Sequence, residues 1–233
     1  NYVEAGMMTV AELAERSGVG ATTVMRLVKT LHYDSYSDFR RALLNVSLKN
    51  NASSYIGIKN SFQKASSNSD SDILHALWYD TTHTVENFIT PKNIEQLDKA
   101  ITLTMEASRV NLLGLRSSRT VSLYLESAID RFYPHVRQLS NESEFLYDKI
   151  FRLSAEEDII IIFSAWPCTK RTIDVSAICR DRHVPIILVT NTSLNPIARY
   201  ADIVIDTNSV NSGCGILPLM FIAEAITAEL ARR

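Results

Sequence analysis

Cysteine is scarce in this 233-residue chain. Cys168, Cys179 and Cys214 are far apart, odd in number and not in CxxC spacing. A disulfide framework or a thiolate zinc site is therefore not expected, and a reducing compartment is the simpler reading. Long apolar runs are also missing. The longest, such as IIIIF at 159–163, fall far short of the roughly 20 residues that span a bilayer. The first residues show no signal-peptide pattern, so a cytoplasmic protein without membrane contact is expected. Neither sign of charge is in surplus: 24 Lys and Arg stand against 26 Asp and Glu, a net charge of −2. Nothing global points to nucleic acid, although a local basic face is enough for DNA binding. His32, His75 and His83 have no metal-ligand spacing, the last two being eight residues apart. No metal and no cofactor are expected.

What is present is apolar material, 46% of the residues, enough for one large core or two modest ones. Three regions differ in pattern. Residues 1–45 read as short helices. Residues 46–108 read as a linker with connecting helices: a Ser- and Asn-rich stretch over 46–69, then helical period. Ile73, Leu74, Leu77, Trp78, Val85 and Phe88 fall near one face, Pro91 stops that helix, and Ile94, Leu97, Ile101 and Met105 form the next row. From 109 to 233 the chain alternates apolar strand-like runs (110–115, 136–139, 158–165, 184–191, 202–207) with helical segments. Runs that are apolar throughout suit strands buried on both faces, and the alternation predicts a doubly wound, five-stranded parallel sheet. The fold class is thus α/β with an all-α N-terminal part. The last helix, 215–233, is apolar nearly all round in its first half and is expected to be buried, against a second subunit.

The stretch TVAELAERSGVGATTVMRLVKTL (9–31) has a helix-turn-helix spacing. Small Ala14 suits a helix crossing, Gly18 a turn with positive φ, and Val24 the buried face of a second helix. Leu13, Val19, Leu27, Val28 and Leu31 are expected to complete a small core. Ala21, Thr22, Thr23, Arg26 and Lys29 would then face outward. From Arg16 to Tyr33 no acidic residue occurs, which leaves a local positive stripe. Short polar side chains at a helix start, followed by arginine, suit base edges and phosphates. Ala21, Thr22, Thr23 and Arg26 are the candidates for the groove, with Arg16 and Lys29 on phosphate. A further helix, capped by Ser35 or Ser37, adds Arg40 and Arg41. An ordinary αα-hairpin is the alternative.

These residues, including the continuation Tyr36–Phe39, resemble the helix-turn-helix of the RpiR/MurR transcriptional regulators. The region 109–230 is similar to their sugar-isomerase-like (SIS) effector domain. The resemblance implies a bacterial regulator of sugar catabolism that binds operator DNA as a homodimer or tetramer and senses a sugar phosphate or related anionic sugar. It also implies helical residues upstream of the first one here. Two loops carry the effector-site likeness. GLRSS, Gly114 to Ser118, stands where the family tends to show G-x-G-x-S, with Arg116 replacing a glycine. Free N–H groups at a helix start attract anions, and arginine adds a planar fork suited to phosphate or carboxylate. SAWPCT (164–169) stands for S-x-S-G-x-T: Ser164 and Thr169 match, while Trp166 and Pro167 replace a serine and a glycine. Proline removes an N–H donor, and Trp166 offers a face on which a sugar could stack. Ser117 and Ser118 add hydroxyls, Lys170 adds charge, and Asn191 lies at a strand's C-terminal end, where such folds place their sites. The alternative is that Arg116 pairs with a neighbouring acid and the crevice binds nothing.

Pro196 and Asn195, in a family-like T-N…N-P…A…A-D run, read as a structural turn. Catalysis would need an acid/base pair. Glu126, Glu224, His135 and His183 show no diagnostic spacing, so a non-enzyme is expected. A phosphosugar isomerase and a non-catalytic sugar-binding protein remain the alternatives.

Overall fold

The computed structural model describes residues 5–6, 8–31, 33–51, 71–133, 135–142, 144–209 and 216–233. The chain divides into two compact units, residues 1–60 and 61–233.

In the first unit, α1 (Val10–Arg16) starts at a capping box. The Thr9 hydroxyl accepts the Glu12 N–H at 3.2 Å, and the Glu12 carboxylate accepts the Thr9 N–H at 2.7 Å. Gly18 takes φ +65° in the turn, a conformation glycine adopts at no steric cost. Helix α2 (Ala21–Thr30) follows. Helix α3 (Tyr36–Asn51) is capped by Ser35, whose hydroxyl accepts the Asp38 N–H at 3.1 Å and donates to the Asp38 carboxylate at 2.7 Å. It runs six residues into the stretch read as a linker; residues 52–69 of that stretch lie outside the described residues.

Ala14, Val24, Val28 and Phe39 form the small core, with Tyr33 edge-on to Phe39 at 5.5 Å. Val19, Leu27 and Leu31, expected in that core, are instead exposed, Leu27 to 51%. The cause is helical geometry. At 100° per residue, Leu27 and Leu31 flank the strip through Val24 and Val28, and that strip is what the neighbouring helices cover.

In the second unit, α4 (Ser71–Phe88) and α5 (Pro91–Glu106) meet at Thr90. The Thr90 hydroxyl accepts the Asn93 N–H at 3.2 Å, and Pro91 begins α5, where its missing N–H costs nothing. Helix α4 buries Thr84 and Phe88 and leaves Leu74 and Trp78 exposed, Trp78 to 65%, contrary to the one-face reading. Helix α5 buries Ala100, Ile101 and Thr104, while Ile94 and Met105 stay exposed. Thr104 holds a core position because its hydroxyl donates to the Ala100 carbonyl at 2.7 Å, so no polar atom is orphaned.

The sheet comprises β1 (Arg109–Gly114), β2 (Val136–Gln138), β3 (Asp158–Ser164), β4 (Ile186–Thr190) and β5 (Ile203–Asp206). Its order is β2-β1-β3-β4-β5 and every pairing is parallel. Helices α6 (Ser118–Ile129), α7 (Leu146–Ile150) and α8 (Lys170–Asp181), a 3₁₀ turn (Pro196–Arg199) and α9 (Leu217–Arg232) complete the unit. Alternate strand residues serve two cores. Val110, Leu112, Ile159, Ile161 and Phe163 pack with α5, α6 and α9. Leu113, Ile160, Ile162, Ile186 and Leu188 pack with α7 and α8. Burial on both faces is why β3 is apolar along its length. Helix α9 buries Leu219, Ile222, Ala223, Ile226 and Leu230 but exposes Leu217 and Phe221.

Candidate functional site

The strand order reverses direction between β1 and β3, and the crevice beyond the C-terminal ends of those strands is where open parallel sheets place their ligands. Both loops singled out in the sequence leave the sheet there.

The first loop departs from Gly114. A Cβ on Gly114 would lie 2.3 Å from the Ser118 carbonyl oxygen, so the first turn of α6 sits where any side chain would be. The Gly114 N–H donates to the Ser140 hydroxyl at 2.8 Å, and Ser140 shares a 2.7 Å bond with Ser122. Arg116, which stands where the family tends to show glycine, adopts φ +57°, in the left-handed region that favours glycine. Holding a non-glycine residue there costs on the order of 1–3 kcal/mol and is common at functional sites. Its side chain is exposed, and no ion pair to it exists among the described residues; the neighbouring acid of the alternative reading is not found there. Ser117 is exposed at the start of α6 and does not cap the helix with its hydroxyl.

Ser118 differs. It is only 3% exposed, and its hydroxyl accepts the Ala165 N–H at 3.1 Å, joining the first loop to the second.

In the second loop, Ser164 is buried under Asn195, whose amide donates to the Ser164 carbonyl at 2.9 Å and reaches its hydroxyl at 3.4 Å. Trp166 is half-buried, joined to Pro167 by a cis peptide. Its backbone N–H donates to the Asn191 side-chain oxygen at 2.7 Å. The indole Nε1 is buried without a hydrogen-bond partner among the described residues. Burial pushes the Cys168 thiol up to about 11, so it is inert as a nucleophile. The Thr169 hydroxyl caps α8 by accepting the Thr172 N–H at 3.1 Å. Lys170 is exposed and has no ion pair among the described residues.

The structure thus brings Ser118, Ser164, Trp166 and Asn191 together through intrachain bonds, and leaves Arg116, Ser117 and Lys170 open. Sequence reasoning missed Ser140 and the Arg119–Asn141 contact (Nε to Oδ1, 3.0 Å) that tie the β2 loop to the crevice. Isolated polar residues in an apolar pattern were their only signal.

The opposite end of the sheet holds a charge cluster that the sequence did not reveal. Arg109 binds Asp158 in a fork, 2.9 and 2.7 Å, and reaches Glu157 at 2.6 Å. Asp158 also accepts from Asn111 at 3.0 Å and from the Ser154 N–H at 2.8 Å. Burial opposes ionisation of Asp158, but these donors outweigh it and hold its carboxyl down at about 2.

Of the acid/base candidates, His135 and His183 are exposed in turns. Glu224 is exposed and accepts the Tyr124 hydroxyl at 2.5 Å. Among the described residues the Glu126 carboxylate is reached only by the Gln138 amide, at 3.5 Å. Among the described residues no three His, Cys, Asp or Glu side chains could hold a metal, and no helix is long and apolar enough to cross a membrane.

In the head, Arg16, Ala21, Thr22, Thr23, Arg26 and Lys29 are all exposed. Thr22, Arg26 and Lys29 lie within about 60° of one another on α2, opposite the buried strip. Arg26 and Lys29 have no ion pair among the described residues. Arg41 stands 3.4 Å from Asp38.

Residues 104–230, more than half of the chain, match the SIS domain family. A Thermotoga maritima protein named an HTH-type transcriptional regulator is 21% identical over 207 residues, 86% of this chain and 70% of its own length. The sugar isomerase domain of an RpiR transcription factor from Sphaerobacter thermophilus superposes with a TM-score of 0.60 at 21% identity, covering 67% of this chain and 88% of that one. The Vibrio vulnificus NanR protein, solved in complex with ManNAc-6P, superposes with a TM-score of 0.64 at 17% identity, over 100% of this chain and 82% of its own. The chain therefore belongs to the SIS domain family, and its likeness to the HTH-type regulator from Thermotoga maritima and to NanR extends beyond that domain over most or all of the chain.

Proposed function

We propose that this chain is a sugar-responsive transcriptional regulator. The head binds operator DNA, with Ala21, Thr22, Thr23 and Arg26 at base edges and Arg16 and Lys29 on phosphates. The SIS domain binds a sugar phosphate or another anionic sugar derivative, its anion at Arg116, Ser117 and Lys170. Binding shifts the DNA affinity of a homodimer or tetramer as far as the ligand's own affinity differs between the assembly's arrangements. On this reading residues 1–45 are the DNA-binding domain, 46–108 the connection and 109–233 the sensor.

One observation carries the reading. Among the described residues, Arg26 and Lys29 on the outward face of α2, and Arg116 and Lys170 beyond the C-terminal ends of β1 and β3, are exposed and have no ion pair. The whole-chain likeness to NanR, a protein solved with a phosphorylated sugar, supports the same assignment. The test is a binding screen of sugar phosphates and sugar acids by calorimetry on the wild type and Arg116→Ala. Saturable binding that weakens at least about tenfold in the variant is expected. Absence of binding by both proteins to every ligand contradicts the sensor role.

A phosphosugar isomerase is the second reading, favoured by the fold shared with a phosphoheptose isomerase from Francisella tularensis. Interconversion of a ketose phosphate and an aldose phosphate by the purified protein would establish it.

A further inference from the structure

We infer that Ser118 and Asn191 are positioning residues. They bind the second loop's backbone donors from within the chain, so that this loop meets a ligand with Trp166 while the ligand's anionic group is held by Arg116 and Ser117 of the first loop, with Lys170 at the start of α8. The inference rests on the reading of the crevice as an effector site and narrows the chemistry of that site.

A loop cradles an anion when successive backbone N–H groups converge on it. In the second loop three successive positions are closed to that use. The Ala165 N–H donates to the Ser118 hydroxyl at 3.1 Å. The Trp166 N–H donates to the Asn191 side-chain oxygen at 2.7 Å. Pro167 has no N–H. Both acceptors are buried, Ser118 to 3% exposure and Asn191 to 4%. A ligand taking either N–H would strand a buried oxygen, and that loss offsets the bond it gains. The Thr169 hydroxyl is likewise held by its own helix.

Asn191 also fixes what lies behind the loop, because its carbonyl accepts the Ser209 N–H at 2.9 Å. One residue therefore ties the β3 loop to the segment that leaves β5. The backbone on which Trp166 is carried is set by the chain itself before any ligand arrives. Among the described residues the buried indole N–H has no acceptor, a costly state.

The first loop has the opposite character. Arg116 and Ser117 are exposed, Arg116 is without an ion pair among the described residues, and the Ser117 hydroxyl leaves the start of α6 uncapped. The ligand class that fits is a sugar with its anion at one end and a hydroxylated body at the other.

The chain has two tryptophans, Trp78 and Trp166. Trp78→Phe makes Trp166 the sole reporter in the full chain. In that background Asn191→Leu removes the acceptor, whereas Asn191→Asp keeps an acceptor oxygen and adds negative charge. Trp166 emission, acrylamide quenching and titration with inorganic phosphate are the readouts, with the circular dichroism of each variant confirming its fold.

Asn191→Leu is expected to shift the emission and raise quenching, and Asn191→Asp to restore both. Phosphate affinity is expected to stay within about threefold in Asn191→Leu and in Ser118→Ala, and to fall at least about tenfold in Arg116→Ala. Unchanged emission in Asn191→Leu would overturn the positioning role. A tenfold loss of phosphate binding in a folded Asn191→Leu or Ser118→Ala protein would make that residue an anion ligand and overturn the inference. Failure of the parent to bind phosphate would overturn the effector reading and the anion half of the inference, and the emission comparison would still decide the positioning half.

Discussion

At the N-terminal end of the sheet, Arg109 is locked to Asp158 and Glu157, with Asn111 and the Ser154 N–H completing the Asp158 shell. At the C-terminal end, Arg116 and Lys170 face solvent with no acid opposite them among the described residues. The same residue type serves two purposes. A guanidinium paired by a fork to a buried carboxylate joins two strands and has nothing left to offer a ligand. A guanidinium held in a left-handed conformation, exposed and unpaired, contributes nothing evident to the fold and remains open to an anion. The contrast separates structure from function more sharply than conformity to a motif does, because the motif residues Ser118 and Ser164 turn out to be buried in intrachain bonds.

The largest effect should come from the locked end. Asp158→Ala leaves Arg109 and Asn111 without their shared acceptor and should destabilise the protein by about 3 kcal/mol, read by urea unfolding, with no change in ligand affinity. The native carboxyl titrates at about 2, below its unfolded value. Its contribution is therefore complete above about pH 4 and is lost as pH falls through about 2; it amounts to about 2 kcal/mol. That acid sensitivity should be flattened in Asp158→Ala, which acid titrations of the two proteins would show.

In the head, Arg26→Ala should cost roughly 1–3 kcal/mol of specific DNA binding and relax sequence preference, whereas Lys29→Ala should weaken all sequences alike and reduce the salt slope by about one. Fluorescence anisotropy on specific and scrambled duplexes at several salt concentrations measures both. Arg116→Gly relieves the left-handed strain while removing the charge. Stability should stay within about 1 kcal/mol of wild type, while anionic-ligand affinity falls at least about tenfold. Loss of stability without loss of binding would reverse the comparison between the two ends. The smallest effect belongs to the surface pair Arg180–Asp202 at 2.7 Å. Asp202 also accepts the Ile186 N–H, so Arg180→Ala should cost under about 1 kcal/mol.

Much of this architecture is legible in the residues. The unbroken apolar run of β3 announces a strand covered on both faces, and the alternation with helical segments announces a parallel sheet. Gly18 and Pro196 mark turns through backbone constraints that act locally. Side-chain depth on the helices is less legible, because it depends on which neighbour arrives. Leu27 and Trp78 follow the apolar period yet lie at the flank of their buried strips, and Thr104 is polar yet buried through a bond to its own helix. At the crevice, sequence identifies the loops but not the hydrogen-bond partners of their residues. Asn191 reads as a ligand donor until the Trp166 N–H is found on its oxygen. The Arg109–Asp158 pair spans 49 positions and has no local signature.

The proposed role requires that binding of an anionic sugar alter the chain's affinity for DNA. Its most direct test is the affinity of the full chain for DNA from upstream of its own coding sequence, measured with and without a sugar phosphate or sugar acid that calorimetry shows to bind. The expected result is a ligand-dependent change of at least about fivefold in wild type that is absent in Arg116→Ala at the same ligand concentration. DNA affinity that stays the same with every bound ligand would contradict the account.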